Sequence, residues 1–469
     1  MIKTQYLKII FAINLTLLSV MVMQVLFFSP SYSEPVIFDE NFKIELVAQD
    51  LDYPTSMAFI DEDDILVLEK NNGKVQRIID GIKQGRPILD VNVANKFERG
   101  LLGIATYPKI LTDKTLNDQQ KFVFLFYTES AHDGNDICEF PTLCDENTNP
   151  YGNRLYRYEL HNDKLTNPKL LLDLPAGPGA DHVSGIIAIG PDNNIYIMSG
   201  DGDSLWRDER LIVKSKLSKD FDPDLKDSVA ITSNDEEGKQ ADGRGGILRL
   251  TMDGWSVPGG ILGTEFPLNL YYAYGLRNGF GMDFDPITGN LWITENGPGF
   301  GDEINLVEPG FNSGWRKVQG IWPVDEQNSN PLPLKRGYFG NEEFFDFDNL
   351  VNLSNYGKYS EPEFIWNSSV GVTALKFFDS KKMGNEYFND LFVTDFNNNY
   401  IYHFDLNYER TQLELRDSLT DKIANTNEEL NSVVFGKDFG VITDMDIGYD
   451  GYLYLLSYTE GKIYRIVPV

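Results

Sequence analysis

Past residue 40 the apolar positions of this chain do not recur every three to four residues, so no long amphipathic helix is predicted. They come instead in short alternating or continuous runs, separated by turns rich in Asp, Gly and Asn. This is the signature of short antiparallel strands joined by hairpins. The unit repeats. The first copy is MAFIDEDDILVLEKNNGKVQRII, residues 57–79. The second runs through GIATYPKI (103–110) and KFVFLFYTES (121–130) to NRLYRYEL (153–160). The third begins with GIIAIGPDNNIYIMSGDGD (185–203) and returns far downstream as GGILRLTMDG (245–254). The fourth and fifth occupy 281–307 and 374–406, and the last is ITDMDIGYDGYLYLLSYTEGKIYRIV, 442–467.

One such sheet cannot bury both of its faces. Arranged radially, each sheet covers its neighbour, and closure of the ring leaves few open edges. Six copies therefore predict an all-β fold, a six-bladed β-propeller in one domain spanning residues 34–469. Two β-sandwiches would need a linker, and no stretch between the copies reads as one. The insertions at 204–243 and 316–364 become rim loops that could wall a ligand site at one mouth of the channel.

Composition agrees with the strand pattern. Aromatic residues make up 13% of the chain, and 41 Gly and 22 Pro supply the turns. The formal charge of −30 excludes nucleic acid as a partner, since the phosphate backbone would be repelled. It suits an acidic solvated surface, and it also suits calcium sites. At the N-terminus, Lys3 and Lys8 precede an apolar run at 9–28 followed by SPSYSEP. Residues 1–33 thus read as a secretory signal peptide or, uncut, as an N-terminal membrane anchor, which puts the rest of the chain outside the cytoplasm. In that compartment Cys138 and Cys144 would pair as a disulfide closing a small loop.

Candidate chemistry is sparse. There are four histidines, and His132, His161 and His403 are scattered without metal spacing. No nucleotide-binding glycine loop or serine-nucleophile motif is present. His182 follows Asp181 at the start of a strand, and Asp201 closes the next one. A carboxylate beside an imidazole orients it and raises its basicity, as a general base requires. A strand-start histidine bonded to backbone is the plainer reading. Arg277 and Asn278 sit in a Gly-flanked loop, where the Arg could grip an anionic oxygen or merely neutralise a nearby acid. The segment ITENGPGFGDEINLV (293–307) offers Glu295, Asp302, Glu303 and a sharp GPG bend, either as oxygen ligands for calcium or as a solvated turn. Trp366 could cover a planar cofactor or pack within a blade.

Taken together, ERGLLGIATYP (98–108), DHVSGIIAIGPDNNIYIMSGD (181–201), GGILRL (245–250), AYGLRNGFGMDF (273–284), ENGPGFGDEINLV (295–307), NSGW (312–315) and GYDGYLYLLS (448–457) resemble the glucose/sorbosone dehydrogenase family. That family includes soluble PQQ-dependent glucose dehydrogenase and the aldose sugar dehydrogenases. The resemblance runs from about residue 45 to the C-terminus and implies a six-bladed propeller. It implies an oxidoreductase in which His182 is the catalytic base, with Asp181 and Asp201 the acids beside it. By the same resemblance, Arg277 and Asn278 contact the quinone, and the carbonyls of Gly297 and Pro298 hold the calcium that binds PQQ. Glu303 resembles a ligand of a second calcium. The resemblance also implies that Trp366 and Ser368 lie near the cofactor, and it places Glu98 where a glutamine often lines the substrate side. The implied partners are a sugar substrate and an electron acceptor whose identity the sequence leaves open; a homodimer is compatible with it.

The chain also departs from the family. Asn397 replaces a cofactor-binding lysine, and Val441 and Thr443 replace two arginines. As many as three positive charges around a tricarboxylate are thereby missing. Lys437 and Lys462 are the available substitutes. The sequence leaves two readings standing: a PQQ-dependent sugar dehydrogenase, or a calcium-stabilised extracellular propeller that binds a glycan or protein and catalyses nothing.

Overall fold

Each repeat folds as its hydrophobic pattern predicts, into a meander whose second strand is enclosed. The computed structural model describes residues 34–107, 121–132, 150–161, 163–176, 179–202, 242–324, 330–331, 350 and 356–469. In five sheets the second strand is buried at every position: Asp64–Glu69, Ile195–Ser199, Leu291–Glu295, Leu391–Asp395 and Leu453–Ser457. These strands carry continuous apolar runs because a neighbouring sheet covers each face. The third strand of the first repeat, Lys74–Ile79, is only partly covered and mixes polar with apolar residues.

The described residues form six sheets of four to six strands and one two-stranded ribbon. The first strands of the six sheets are Pro54–Asp61, Leu101–Tyr107, Ser184–Ile189, Gly281–Phe284, Val372–Phe377 and Ile442–Ile447. Each packs on the next, and the last packs on the first. This is a β-propeller arrangement. A count of regular blades gives five where the sequence repeats predict six. The outer strands are where the sheets depart from the repeat. The sheet starting at Pro54 forks, since Lys74–Ile79 pairs with both Ile82–Lys83 and Leu89–Asp90. The sheet starting at Ser184 gains Phe311–Asn312 and Lys358–Tyr359 by parallel pairing.

The apolar interior is divided among the gaps between sheets rather than gathered at the centre. One cluster joins Phe124, Phe126 and Leu155 to Ile187, Ile197 and Leu248 of the next sheet. Another joins Trp292, Phe364 and Trp366 to Val372, Leu391 and Tyr402. Comparable clusters fill the remaining gaps.

The two ends of the described chain meet. Phe42–Ala48 pairs antiparallel with Lys462–Pro468, so the sheet containing the last three strands takes its outermost strand from the beginning of the chain. Val36–Ile37 adds to the edge of the preceding sheet through Val434–Lys437. The Arg465 Nη2–Glu45 Oε2 ion pair, 2.7 Å long, spans this seam.

Residues 1–33, Cys138, Cys144 and most of both long insertions lie outside the described residues, so the leader and the disulfide expected from the sequence lie there too. No helix among the described residues is long and apolar enough to cross a membrane.

Candidate active site

In an antiparallel meander the entry of the first strand and the exit of the second lie at the same end. Ser184 pairs with Ser199, and Gly281 pairs with Thr294. The segment before Ser184 carries His182, and the segment after Ser199 carries Asp201. The next sheet places Arg277 and Asn278 before Gly281, and Glu295 through Pro298 where the second strand ends. The sequence candidates therefore converge on one mouth because they occupy equivalent turns of adjacent sheets.

Backbone geometry draws these turns together. His182 and Ser184 adopt left-handed conformations, with φ of 54° and 56°, which kinks the strand entry. A Cβ on Gly200 would meet the His182 carbonyl oxygen at 2.2 Å and the Arg277 carbonyl oxygen at 3.1 Å. Only glycine allows three segments to approach there. The Asp201 N–H donates to the Arg277 carbonyl at 2.9 Å, and Gly202 N–H donates to the His182 carbonyl at 3.1 Å.

His182 is buried, and its Nδ1 lies 2.6 Å from Asp201 Oδ1. The other Asp201 oxygen accepts from Trp315 Nε1 at 2.8 Å. Burial alone would raise the Asp201 carboxyl, but His182, Arg277 and the Trp315 N–H outweigh it and hold the group below its usual range. Asp201, not Asp181, is the acid joined to the imidazole. Asp181 is half-buried and lies close enough to influence Glu98 electrostatically.

Arg277 is anchored from both ends. Its N–H donates to Glu295 Oε1 at 2.6 Å, and its Nη1 donates to the carbonyls of Asn296 and Gly297 at 2.9 and 3.1 Å. Its guanidinium carbon lies 5.4 Å from the Trp315 ring centre. Arg277 Nε is buried with no hydrogen-bond partner. Asn278 is buried and committed within the protein: Nδ2 donates to both Glu98 oxygens, at 2.9 and 3.1 Å, and Oδ1 accepts from Ser184 Oγ. Glu98 also accepts the Val183 N–H at 3.0 Å. Burial pushes the Glu98 carboxyl up, His182 and Val183 pull it down, and Asp181 adds to the rise.

Beneath this cluster lies a carboxylate-rich layer. Glu295 and Glu303 face each other in cross-strand register. Burial raises Glu295 to about 7 despite the Arg277 and Ser313 bonds. Burial and then the neighbouring Glu295 push Glu303 well above its usual range. Asp302 accepts from the N–H groups of Gly297, Val370 and Gly371 and from Ser369 Oγ, so it staples the GPG bend to the next sheet.

Two sequence candidates fall elsewhere. Trp366 is buried in the core against Phe364 and Tyr402, with ring centres 4.7 and 5.4 Å away, so it packs a blade rather than covering a ligand. Ser368 is exposed, and its neighbour Ser369 makes the contact to Asp302. Pro298 lies in the bend between Leu291–Glu295 and Phe300–Val307, half-buried. Trp315 is the residue of this cluster that sequence reasoning did not assign. Its signal was the NSGW motif, but nothing in the motif says where an indole 114 residues from Asp201 will point.

The fit to calcium and a quinone cofactor divides by region. Next to Glu303, the Asn305 Oδ1 and Gln319 Oε1 acceptors are buried without donors, while their amide nitrogens donate to Glu303. Buried carboxylates with surplus acceptor oxygens suit a hard cation. The half-buried Arg277 guanidinium, beside the His182–Asp201 pair, suits an acceptor oxygen of a quinone edge. The opposite side offers no cation at the three replaced positions. Asn397 Nδ2 donates to the Ser369 carbonyl, Thr443 Oγ1 donates to the Pro54 carbonyl, and Val441 is buried. Lys437 and Lys462 sit on outer strands near Asp438 and Glu460. Away from the mouth, Asp390, His403 and Asp405 form a further cluster, with His403 Nε2 3.0 Å from Asp390 and 3.8 Å from Asp405, and Arg416 paired with Asp405.

Comparison with known proteins adds to this geometry. The family model described as glucose/sorbosone dehydrogenase matches residues 51–331. Quinoprotein glucose dehydrogenase B of Acinetobacter calcoaceticus is 29% identical over 286 residues, 60% of this chain and 54% of that protein. An aldose sugar dehydrogenase of Escherichia coli is 26% identical over 200 residues, 42% of this chain and 43% of that protein. These alignments thus span about half the length of the curated relatives. Among solved structures, the soluble aldose sugar dehydrogenase of Escherichia coli in its apo form superposes with a TM-score of 0.62 at 20% identity, covering 91% of this chain and 100% of that one. The PQQ-bound aldose sugar dehydrogenase of Streptomyces coelicolor gives 0.56 at 19%, covering 92% and 99%. At these identities the structural likeness speaks for the fold.

Proposed function

The chain belongs to the glucose/sorbosone dehydrogenase family, and from that premise we propose that it is a PQQ-dependent oxidoreductase acting on an aldose or a related sugar. The observation that carries the reading is the buried His182 Nδ1–Asp201 Oδ1 contact of 2.6 Å, tied through the Asp201 N–H to the Arg277 segment. With Nδ1 committed to Asp201, Nε2 is the nitrogen left to take a proton from a sugar hydroxyl. As that proton leaves, the charge gained by the imidazole is balanced by Asp201. Arg277 would meet an anionic oxygen with the part of its half-buried guanidinium that does not serve the Asn296 and Gly297 carbonyls. Glu98 orients the His182 strand entry and Asn278 rather than reacting. A bound quinone would supply the two-electron acceptor for the hydride leaving the sugar carbon; the carbonyls of Gly297 and Pro298 would hold the calcium beside it, and Glu303 would serve a second calcium.

We also read the ring as six blades, supported by the six apolar gaps and the six first strands that touch in order. Residues 1–33 remain our candidate for a signal peptide or membrane anchor, with the propeller at 34–469 lying outside the cytoplasm. The neutral side chains at Asn397, Val441 and Thr443 favour a second reading, a calcium-stabilised propeller that binds a glycan or protein without catalysis.

One experiment separates the two. Purified 34–469, given calcium and titrated with PQQ, is expected to reduce an artificial electron acceptor when supplied with aldoses. His182→Ala is expected to abolish the reaction and leave the melting temperature nearly unchanged. Absence of PQQ binding at any attainable concentration would leave the non-catalytic reading.

A further inference from the structure

We propose that Trp315 is the positioning residue of the base: acting through Asp201, it selects the tautomer of His182. The inference rests on the proposed role of His182 and extends it to a residue remote in sequence. Trp315 is buried, and the Ser313 and Trp315 N–H groups bond the carbonyls of Tyr274 and Gly275, just ahead of Arg277. The indole is thus held by the same segment that delivers the guanidinium. Its Nε1–H reaches Asp201 Oδ2 at 2.8 Å, while Asp201 Oδ1 faces His182 Nδ1 at 2.6 Å.

The assignment follows from which groups can donate. An indole N–H donates and never accepts. The indole bond keeps a proton off Asp201 Oδ2, and against burial the groups His182, Arg277 and Trp315 hold the carboxyl below its usual range, so Oδ1 carries none either and the carboxylate stays ionised. An ionised carboxylate accepts only, so Nδ1 must bear the hydrogen in the contact with Oδ1. Nε2 of a neutral imidazole is then the bare nitrogen. The indole also blocks rotation of the carboxylate by fixing its second oxygen. The Arg277 guanidinium carbon, 5.4 Å from the ring centre, rests on the same indole. One side chain accordingly sets the relative position of the base and the cation.

The test uses calcium-loaded protein labelled with nitrogen-15 at its four histidines. In the wild type, His182 is expected to show one tautomer, protonated at Nδ1. Trp315→Phe keeps a ring and removes the N–H. It is expected to give a mixture of tautomers and to lower kcat by about ten- to a hundredfold, the scale of one charge-assisted hydrogen bond, with a smaller change in KM. Trp315→Phe and Asp201→Asn are expected to be less than additive in kcat. A single unchanged tautomer in folded Trp315→Phe would overturn the proposal, even if the melting temperature fell. If Trp315→Phe does not fold, the wild-type indole resonance serves: it is expected to move with the His182 titration, and an indole signal indifferent to that titration overturns the proposal. Tautomer and indole signals do not depend on turnover. If the wild type oxidises no aldose, the proposed function fails while the positioning result still stands or falls on its own.

Discussion

Asp444 shows how the propeller handles single charges along its inner strands. Its Oδ2 accepts from Ser56 Oγ and the Met57 N–H, both at 2.7 Å, tying the last sheet to the first. Burial nevertheless pushes its carboxyl up to about 7, with the Met57 and Ser56 bonds opposing and Asp446 assisting. In the unfolded chain the group titrates near the ordinary ~3.9. Between these values the folded protein keeps a proton that the unfolded chain has released. The stabilising contribution is therefore present below about pH 4 and is lost as pH rises through about 7. Asp444→Asn, which mimics the protonated acid, is expected to gain stability relative to the wild type across that window. The gain would reach a few kcal/mol at most, on the order of one pKa unit per ~1.4 kcal/mol, read as melting temperature against pH. At this scale the site was legible where function needs a rare residue type. His182, Asp201 and Arg277 could be picked out because few histidines exist and their motifs keep a recognisable order. Trp315 could not, because an indole among aromatic-rich strands carries no mark of the carboxylate it will meet. Trp366 was ambiguous for the same reason, and it went to the core.

At the scale of elements, the strands were legible because their periodicity follows from how many faces are covered. Fully buried runs such as Leu453–Ser457 mark second strands, and mixed runs mark the outer ones. The outer additions were not legible. Short pairs such as Lys358–Tyr359 with Phe311–Asn312 depend on distant partners, and two residues hold no period. The strand Phe42–Ala48 is a similar case, for its partner lies at the far end of the chain. Phe42 is buried against Tyr387 and Phe435 of the neighbouring sheet, with ring centres 5.5 and 6.2 Å away. Phe42→Ala is expected to cost about 3–5 kcal/mol, through lost burial and the cavity left behind. Urea denaturation measures the loss, and a change below about 1 kcal/mol would show that this strand adds little to the seam.

For the whole molecule, charge and closure are the dominant properties. A formal charge of −30 gives the protein as a whole a field that draws cations and repels anions. If the chain turns over sugars, a cationic one-electron acceptor such as hexaammineruthenium(III) is expected to be reduced faster than ferricyanide at low ionic strength. The ratio should shrink severalfold as salt is raised, roughly from 20 to 500 mM, because the Debye length falls below the size of the mouth. A ratio independent of salt would mean that the acceptor docks without guidance from the surface.

The seam sets an order of events for biogenesis. Phe42–Ala48 leaves the ribosome long before its partner strand Lys462–Pro468. Until Lys462–Pro468 emerges, that early strand has no mate. Any translocation of the nascent polypeptide would meet an incomplete ring, easier to thread than a finished one. A truncation from the C-terminus would accordingly strand both ends at once, leaving two adhesive borders and a product prone to associate with itself.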